Sequence, residues 1–142
     1  MSGDLPAYVL DSFAVLAYLE AEPAADRVKQ VLHQATVGRA KVFISTVNFG
    51  ETVYITERER GLPAAQMVVG VLDQLPITVV DADRSLALAA AHVKAHHSLA
   101  YADAFAVALS QRVGGVVLTG DPEFKNVEHL VTVEWLLQRS PG

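Results

Sequence analysis

The sequence contains no cysteine, which excludes disulfide bonds, zinc–thiolate sites and cysteine nucleophiles. A reducing cytoplasm is therefore the expected location. The sequence also lacks the run of roughly eighteen apolar residues that a membrane span requires. Its first ten residues have neither the basic segment nor the long apolar segment of a secretory signal. We expect a cytoplasmic protein that has no membrane partner.

Basic residues are also few, with 11 Lys and Arg against 16 Asp and Glu and a net charge of −5. This balance argues against a protein that coats nucleic acid through bulk positive charge. It does not exclude an enzyme that meets a phosphate group through a bound metal ion, because the ion reverses the local sign of the charge.

The length of 142 residues and the hydrophobic content of 51% predict one domain, over residues 1–142, with a core of its own. Short apolar runs alternate with segments of helical periodicity. The runs that we interpret as strands cover residues 8–10, 42–44, 77–80, 116–118 and 130–133. The alternation predicts an α/β fold, a three-layer sandwich whose central parallel sheet of four to five strands has helices on both faces.

Two aspartates directly follow predicted strands, at the edge where open parallel sheets bind ligands. Asp11 follows the first strand and precedes a helical run, whereas Asp121 follows the fourth strand and precedes Pro122. Each is also a good helix N-cap, and capping is the simpler interpretation when either residue is considered alone. The sequence therefore leaves two interpretations of these residues open.

Two further acids fall on mainly apolar helix faces, where a solvated carboxylate is not expected. Glu51 lies on such a face of the predicted third helix, and Asp103 on the helix before the fourth strand. The neighbours of Asp103 one turn away are Leu99, Ala100, Ala106 and Val107. A buried carboxylate either takes up a proton or finds a cation, so the alternative to a functional site is a salt bridge to a distant Arg or Lys.

All four acids can converge on one edge of the predicted sheet. Clustered carboxylates repel one another, so such a site is unfavourable without a cation. Ligands that offer only oxygen select Mg²⁺ or Mn²⁺ over zinc or copper. The pattern therefore favours a site for one of these two ions.

Four short motifs contain these acids, and together they extend over nearly the whole chain. They are Asp11-Ser12, Asn48-x-x-Glu51, Tyr101-Ala102-Asp103-Ala104 and Thr119-Gly120-Asp121. Their order and spacing resemble the acidic tetrad of PIN-domain ribonucleases and, more narrowly, of VapC-type toxins from bacterial or archaeal toxin–antitoxin pairs.

The resemblance implies a PIN-like fold and a Mg²⁺- or Mn²⁺-dependent endoribonuclease. The residues that it makes catalytic are Asp11, Glu51, Asp103 and Asp121. Metal ligation is expected from Asp11, Asp103 and Asp121, and supporting hydroxyl groups from Ser12 and Thr119. Many relatives have a further Asp where this chain has Glu123, so the resemblance leaves open whether Glu123 takes part. By the same resemblance, the expected partners are an RNA substrate, a cognate antitoxin protein and a second copy of the chain in a homodimer.

Arg58 is the candidate for substrate contact, seven positions after Glu51 on the same helix face and roughly 10 Å further along the helix. There it can meet a neighbouring phosphate. The alternative is that residues 57–60, which alternate in charge, are a solvated helix end.

Two other functions remain as alternatives. The first is a catalytically silent PIN-like module that binds RNA or protein. The second is a phospho-receiver signalling domain with Asp81 as the phosphate acceptor, although the sequence lacks the adjacent acids that such domains have after the first strand.

Overall fold

The structure, a computed structural model of the chain, describes residues 4–136. The strands are β1 (Ala7–Leu10), β2 (Lys41–Ser45), β3 (Thr78–Val80), β4 (Val116–Thr119) and β5 (Thr132–Trp135). The helices are α1 (Ser12–Leu19), α2 (Ala25–Thr36), α3 (Thr46–Arg60), α4 (Leu62–Gln74), α5 (Arg84–His96) and α6 (Tyr101–Val113), and a 3-10 helix covers Pro122–Val127. In this part of the chain, no helix combines the length and apolar character needed to cross a bilayer.

The five strands form one parallel sheet in the order β3-β2-β1-β4-β5. The predicted parallel sheet is thus confirmed, with five strands. The two central strands β1 and β4 pair in register, with Leu10 opposite Leu118. Chain order reverses between these two strands, and a crevice opens beyond their carboxyl ends at such a switch point. Open parallel sheets bind their ligands at such a point, which in this sheet lies where β1 and β4 end.

Two buried apolar clusters cover the two faces of the sheet. Helices α5 and α6 supply one of them, with Leu86 and Leu109 among its members. Helices α1, α2 and α4 supply the other, which includes Val15, Val28 and Leu72. The predicted three-layer sandwich is confirmed by this arrangement.

Several helix boundaries follow directly from local sequence. The Ser45 side chain caps α3 by accepting a hydrogen bond from the Asn48 amide, and Asp83 caps α5 by accepting one from the Leu86 amide. Gly114 ends α6 in the left-handed conformation with φ of 65°, which favours glycine.

The segment after β4 differs from the prediction. The last strand begins at Thr132 rather than at residue 130, and the helical start that Asp121 and Pro122 allow is a 3-10 helix, Pro122–Val127. The amides of Leu130 and Val131 both donate to the carbonyl of Val127, which closes a turn. Apolar residues at 130 and 131 therefore pack against the core from a turn, and apolar character alone does not distinguish that turn from a strand.

Candidate active site

The four predicted acids lie together at the switch point of the sheet. Asp11 immediately follows β1, and Asp121 lies two residues beyond the end of β4. Asp103 is in the first turn of α6, and Glu51 is in α3. Asp11, Glu51 and Asp121 all act electrostatically on Asp103. The convergence expected from the sequence is therefore present in the structure.

Asp11 serves as a helix cap and as a member of this cluster at the same time. Its side chain is buried, with 1% exposed. The Oδ1 atom accepts a hydrogen bond of 2.9 Å from the Ala14 amide and so caps α1, while Oδ2 accepts one from the Thr119 hydroxyl. The capping interpretation of Asp11 is thus confirmed, and capping does not remove Asp11 from the cluster, because the cap uses only one of its two oxygen atoms.

Burial raises the pKa of the Asp11 carboxyl to about 7. The hydrogen bonds from Thr119 and Ala14 oppose this rise because they stabilise the ionised form. The negative charges of Asp121 and Glu51 add to it. Asp11 is therefore poised to lose its proton near neutral pH, and a nearby cation would promote that loss.

Asp103 is also buried, with 5% exposed. Burial raises the pKa of its carboxyl to about 9, and the adjacent Asp121 carboxyl, which lies within hydrogen-bonding reach, contributes most of the remaining rise. Two carboxylates this close share a proton or a cation. Without a metal ion, Asp103 therefore holds a proton at neutral pH.

The salt-bridge explanation for Asp103 finds no support in residues 4–136. Ion pairs in this range join Arg27 to Glu134, Arg60 to Glu20 and Arg112 to Asp83. None of them reaches the acidic cluster. The described part of the chain thus offers these carboxyl groups no basic side chain as a counterion.

Glu51 enters the cluster from α3 and is held there by α1. The Ser12 hydroxyl donates a hydrogen bond to Glu51 Oε1. Ser12 and Thr119 thus each donate to one of the predicted acids. A hydroxyl that donates in this way fixes the orientation of the carboxylate.

Glu123, whose participation the sequence left open, is brought into the cluster by the 3-10 helix. One carboxylate oxygen from each of Asp103, Asp121 and Glu123 lies within 4.8 Å of the other two. Glu123 Oε1 also accepts a hydrogen bond of 3.0 Å from the Ala100 amide. A signal for this was present in the sequence, because Asp121 followed by Pro122 predicts a helical start that places Glu123 in its first turn.

The donor set suits a hard divalent cation. Asp103, Asp121 and Glu123 offer only carboxylate oxygens, and Mg²⁺ and Mn²⁺ bind such ligands in preference to imidazole or thiolate. Asp11 is a neighbour of this trio rather than a member of it, and its two oxygens already accept the bonds from Ala14 and Thr119. The residues present therefore fit a Mg²⁺ or Mn²⁺ site.

A glycine allows the two halves of the site to approach one another. A Cβ atom on Gly120 would lie 2.3 Å from the ring of Phe13. Gly120 separates Thr119 from Asp121, and Phe13 belongs to α1, which Asp11 caps. The absence of a side chain at residue 120 thus lets the loop after β4 pack directly on α1.

Arg58 lies outside the carboxylate cluster. Its guanidinium group is 5.5 Å from the centroid of the exposed Tyr54 ring, a cation–π contact within α3. Residues 57–60 are all exposed, as expected for a solvated helix end. The structure thus places Arg58 on the surface of the helix that carries Glu51.

A family model described as the PIN domain matches residues 8–130. The chain belongs to the PIN domain family. The match includes all four predicted acids and Glu123, so the family resemblance inferred from the motifs is confirmed. No curated protein sequence matches the chain.

Solved structures with the same fold include toxin–antitoxin complexes and a toxin. VapBC2 from Rickettsia felis, bound to a promoter DNA fragment, is 11% identical with a TM-score of 0.71, over 92% of this chain and 98% of that one. DNA-bound VapBC from Salmonella typhimurium is 16% identical, with the same TM-score and coverage. Mycobacterium tuberculosis VapC20, described as a sarcin-ricin loop cleaving toxin, is 18% identical with a TM-score of 0.66, over 85% and 94%.

Likeness at these identities establishes a shared fold, and it confirms the predicted PIN-like architecture. The phospho-receiver alternative is excluded, since receiver domains have the strand order 2-1-3-4-5 and this PIN domain has the order 3-2-1-4-5.

Proposed function

We propose that this PIN domain is a Mg²⁺- or Mn²⁺-dependent endoribonuclease and the toxin of a type II toxin–antitoxin pair. One observation carries the proposal: Asp11, Glu51, Asp103 and Asp121 converge at the carboxyl ends of β1 and β4, and no basic side chain of residues 4–136 pairs with them. A buried acidic cluster without a counterion is costly to stability and is typical of a cation site.

Asp103, Asp121 and Glu123 would hold the ion, because their oxygens already face one another. Asp11, once deprotonated, would complete the negative surroundings from the other side. When bound, a divalent cation activates water and neutralises charge on a phosphodiester. Loss of the protons from Asp11 and Asp103 accompanies its binding, since both carboxyl groups have a raised pKa.

The chain's own residues orient this site. Thr119 holds Oδ2 of Asp11 in place and also accepts a hydrogen bond of 3.0 Å from the Asp121 amide, so one hydroxyl positions two acids. Ser12 holds Glu51 in the same way. Arg58 is the proposed contact for a substrate phosphate, because it is exposed on the helix that carries Glu51 and forms no ion pair in the described residues.

The toxin assignment and the antitoxin partner rest on the solved relatives, and the homodimer rests on the family resemblance alone. Two of these are complexes of the VapBC type, and one toxin is described as cleaving the sarcin-ricin loop. We propose an RNA substrate and an antitoxin that covers the acidic cluster. Water as the nucleophile predicts products with a 5′-phosphate and a 3′-hydroxyl, whereas attack by the ribose 2′-hydroxyl would leave a 2′,3′-cyclic phosphate.

The test is end-mapping of total bacterial RNA after incubation with the purified protein. The reactions contain Mg²⁺, Mn²⁺ or EDTA, and the variants are Asp103→Asn and, as a matched control, Asp83→Asn. Asp83 is an exposed aspartate that also caps a helix but lies outside the cluster. We expect discrete, metal-dependent cuts with 5′-phosphates for the wild type and for Asp83→Asn, and none for Asp103→Asn.

Cyclic phosphate ends would overturn the proposed hydrolysis. Cuts that persist in EDTA would overturn the metal requirement. RNA binding without cleavage, in a folded protein that does not bind Mn²⁺, would instead identify the catalytically silent module.

A further inference from the structure

Asn48 is a fully buried polar residue that joins the two helices carrying Glu51 and Asp103. Its side chain is 0% exposed and lies in the first turn of α3, one turn before Glu51. Its Nδ2 group donates a hydrogen bond of 3.0 Å to the carbonyl oxygen of Ala102 in α6. No other side-chain hydrogen bond found in residues 4–136 joins α3 to α6.

The orientation of the Asn48 amide is fixed by a second hydrogen bond. The Ser45 hydroxyl donates to Asn48 Oδ1 over 2.7 Å and accepts from the Asn48 backbone amide over 3.1 Å. Because Oδ1 is occupied by a donor, Nδ2 must be the atom that faces the Ala102 carbonyl. The helix cap at Ser45 therefore directs the side chain of Asn48 toward α6.

The acceptor on α6 belongs to the peptide group that precedes Asp103. The carbonyl of Ala102 and the amide nitrogen of Asp103 form one planar peptide group. A hydrogen bond to the Ala102 oxygen therefore restrains the plane from which the Asp103 side chain departs. The same Asn48 belongs to the helix face from which Glu51 reaches the cluster.

We propose that Asn48 is a positioning residue, which sets the separation of Glu51 and Asp103 and thereby the affinity of the acidic cluster for a divalent cation. This inference rests on the proposed function. Asn48 acts through the peptide group before Asp103 and does not itself contact the ion. Groups that orient metal ligands in this way typically change metal affinity or activity 10- to 100-fold when removed.

The test compares Mn²⁺ binding by Asn48→Ala and Ser110→Ala, measured by titration calorimetry without RNA. Ser110 is a matched control: it is also buried, and its hydroxyl donates to the carbonyl of Gly115 at the opposite end of α6. Each variant thus loses a buried bond from a side chain to a backbone carbonyl. Urea unfolding of both variants measures how far each substitution lowers the free energy of unfolding.

We expect Asn48→Ala to weaken Mn²⁺ binding by at least about 10-fold, and Ser110→Ala to leave it within about 2-fold of the wild type. Equal affinity in the two variants would overturn the proposal. If Asn48→Ala does not fold, Asn48→Ser decides by the same criterion, since a serine hydroxyl can bond to Ser45 but does not reach Ala102.

A measurement on the metal-free protein separates this inference from the proposed function. The backbone amide resonance of Asp103 should shift in Asn48→Ala and stay in place in Ser110→Ala. If the wild type binds no Mn²⁺, the proposed function fails, but this resonance still reports whether Asn48 positions Asp103. An unchanged resonance in Asn48→Ala would show that it does not.

Discussion

Asp11 and Asp83 begin two helices in the same way and differ in nearly everything else. Each follows a β-strand region and accepts a hydrogen bond from the amide three residues later, at 2.9 Å for Asp11 and 2.8 Å for Asp83. Asp11 is buried among other acids, whereas Asp83 is exposed and pairs with Arg112. The same local motif therefore appears in two opposite environments.

The pKa values of the two carboxyl groups move in opposite directions. Burial raises the pKa of Asp11 to about 7, with further contributions from Asp121 and Glu51. The pKa of Asp83 is lowered, first by the hydrogen bond from the Leu86 amide and then by Arg112. Local sequence therefore determines that each aspartate caps a helix. The tertiary surroundings determine whether the capping residue is structural or chemically active.

Neutralising each capping aspartate in turn tests whether Asp11 is chemically active and Asp83 is structural. Asp11→Asn and Asp83→Asn both keep an oxygen that can cap the helix. We expect Asp11→Asn to lower the RNA cleavage rate by at least about 10²–10³-fold, the usual loss for a group that stabilises charge in a reaction. Asp83→Asn should retain activity. Initial rates in Mn²⁺ measure both, and comparable rates in the two variants would contradict a catalytic role for Asp11.

Local rules predicted most of the fold because it follows from local signals. Short apolar runs between helical segments identified all five strands with at most a small shift. The exception is the region after β4, where Leu130 contacts the core from a turn. An apolar pattern indicates that residues are buried. It is the same for a buried turn and for a buried strand, so it does not distinguish them.

The candidate site was predictable to the extent that polar residues stood where apolar ones were expected. Asp103 is such a residue, and in the structure it is buried beside Asp121. The sequence leaves the participation of Glu123 open, because many relatives have an Asp at this position. Asn48 belonged to a motif, but its role depends on a contact with Ala102, 54 positions away, that no local pattern contains.

Adding a divalent cation should stabilise the acidic edge of the sheet and leave the region of Asp83 unaffected. Mn²⁺ at 100 times its dissociation constant should raise the free energy of unfolding by about 2.7 kcal/mol. Thermal unfolding at pH 8 with and without Mn²⁺ measures the effect. Asp103→Asn should remove most of this stabilisation, and Asp83→Asn should keep it. An equal response in both variants would place the bound ion elsewhere.

The pH dependence of the free energy of unfolding should distinguish the buried acids Asp11 and Asp103 from the exposed Asp83. Asp11 and Asp103 have a pKa of about 7 and about 9 in the fold, against 3.8 for an unperturbed aspartate. The folded state therefore binds more protons than the unfolded state, and their stabilising contribution is lost as pH rises from about 4 to about 9.

For the metal-free protein we expect the free energy of unfolding to fall by several kcal/mol between pH 5 and pH 9 from these two groups, at about 1.4 kcal/mol for each unit of raised pKa that titrates in this range. Urea unfolding across this range measures it, and the difference between the wild type and Asp103→Asn isolates the part due to Asp103. Asp83 should act in the opposite sense, since its contribution is lost only as pH falls below the usual range of an aspartate. A wild type whose stability rises steadily from pH 5 to pH 9, with the same slope in Asp103→Asn, would contradict the raised pKa values.

The smallest expected effect is the change in pKa when each capping aspartate loses the side chain that contacts it from elsewhere in the fold. Thr119→Val removes the hydroxyl that donates to Asp11 but keeps the shape of the side chain, and Arg112→Gln removes the cation beside Asp83. Because the Thr119 hydrogen bond favours the ionised form of Asp11, its loss should raise the pKa of Asp11 above about 7. Loss of Arg112 should also raise the pKa of Asp83, but by less, because the larger cause there is the Leu86 amide, which remains. Carboxyl carbon resonances followed through a pH titration of the metal-free protein report both values. A larger rise at Asp83 than at Asp11 would mean that the exposed cap depends more on its tertiary partner than the buried one, the reverse of what the geometry predicts.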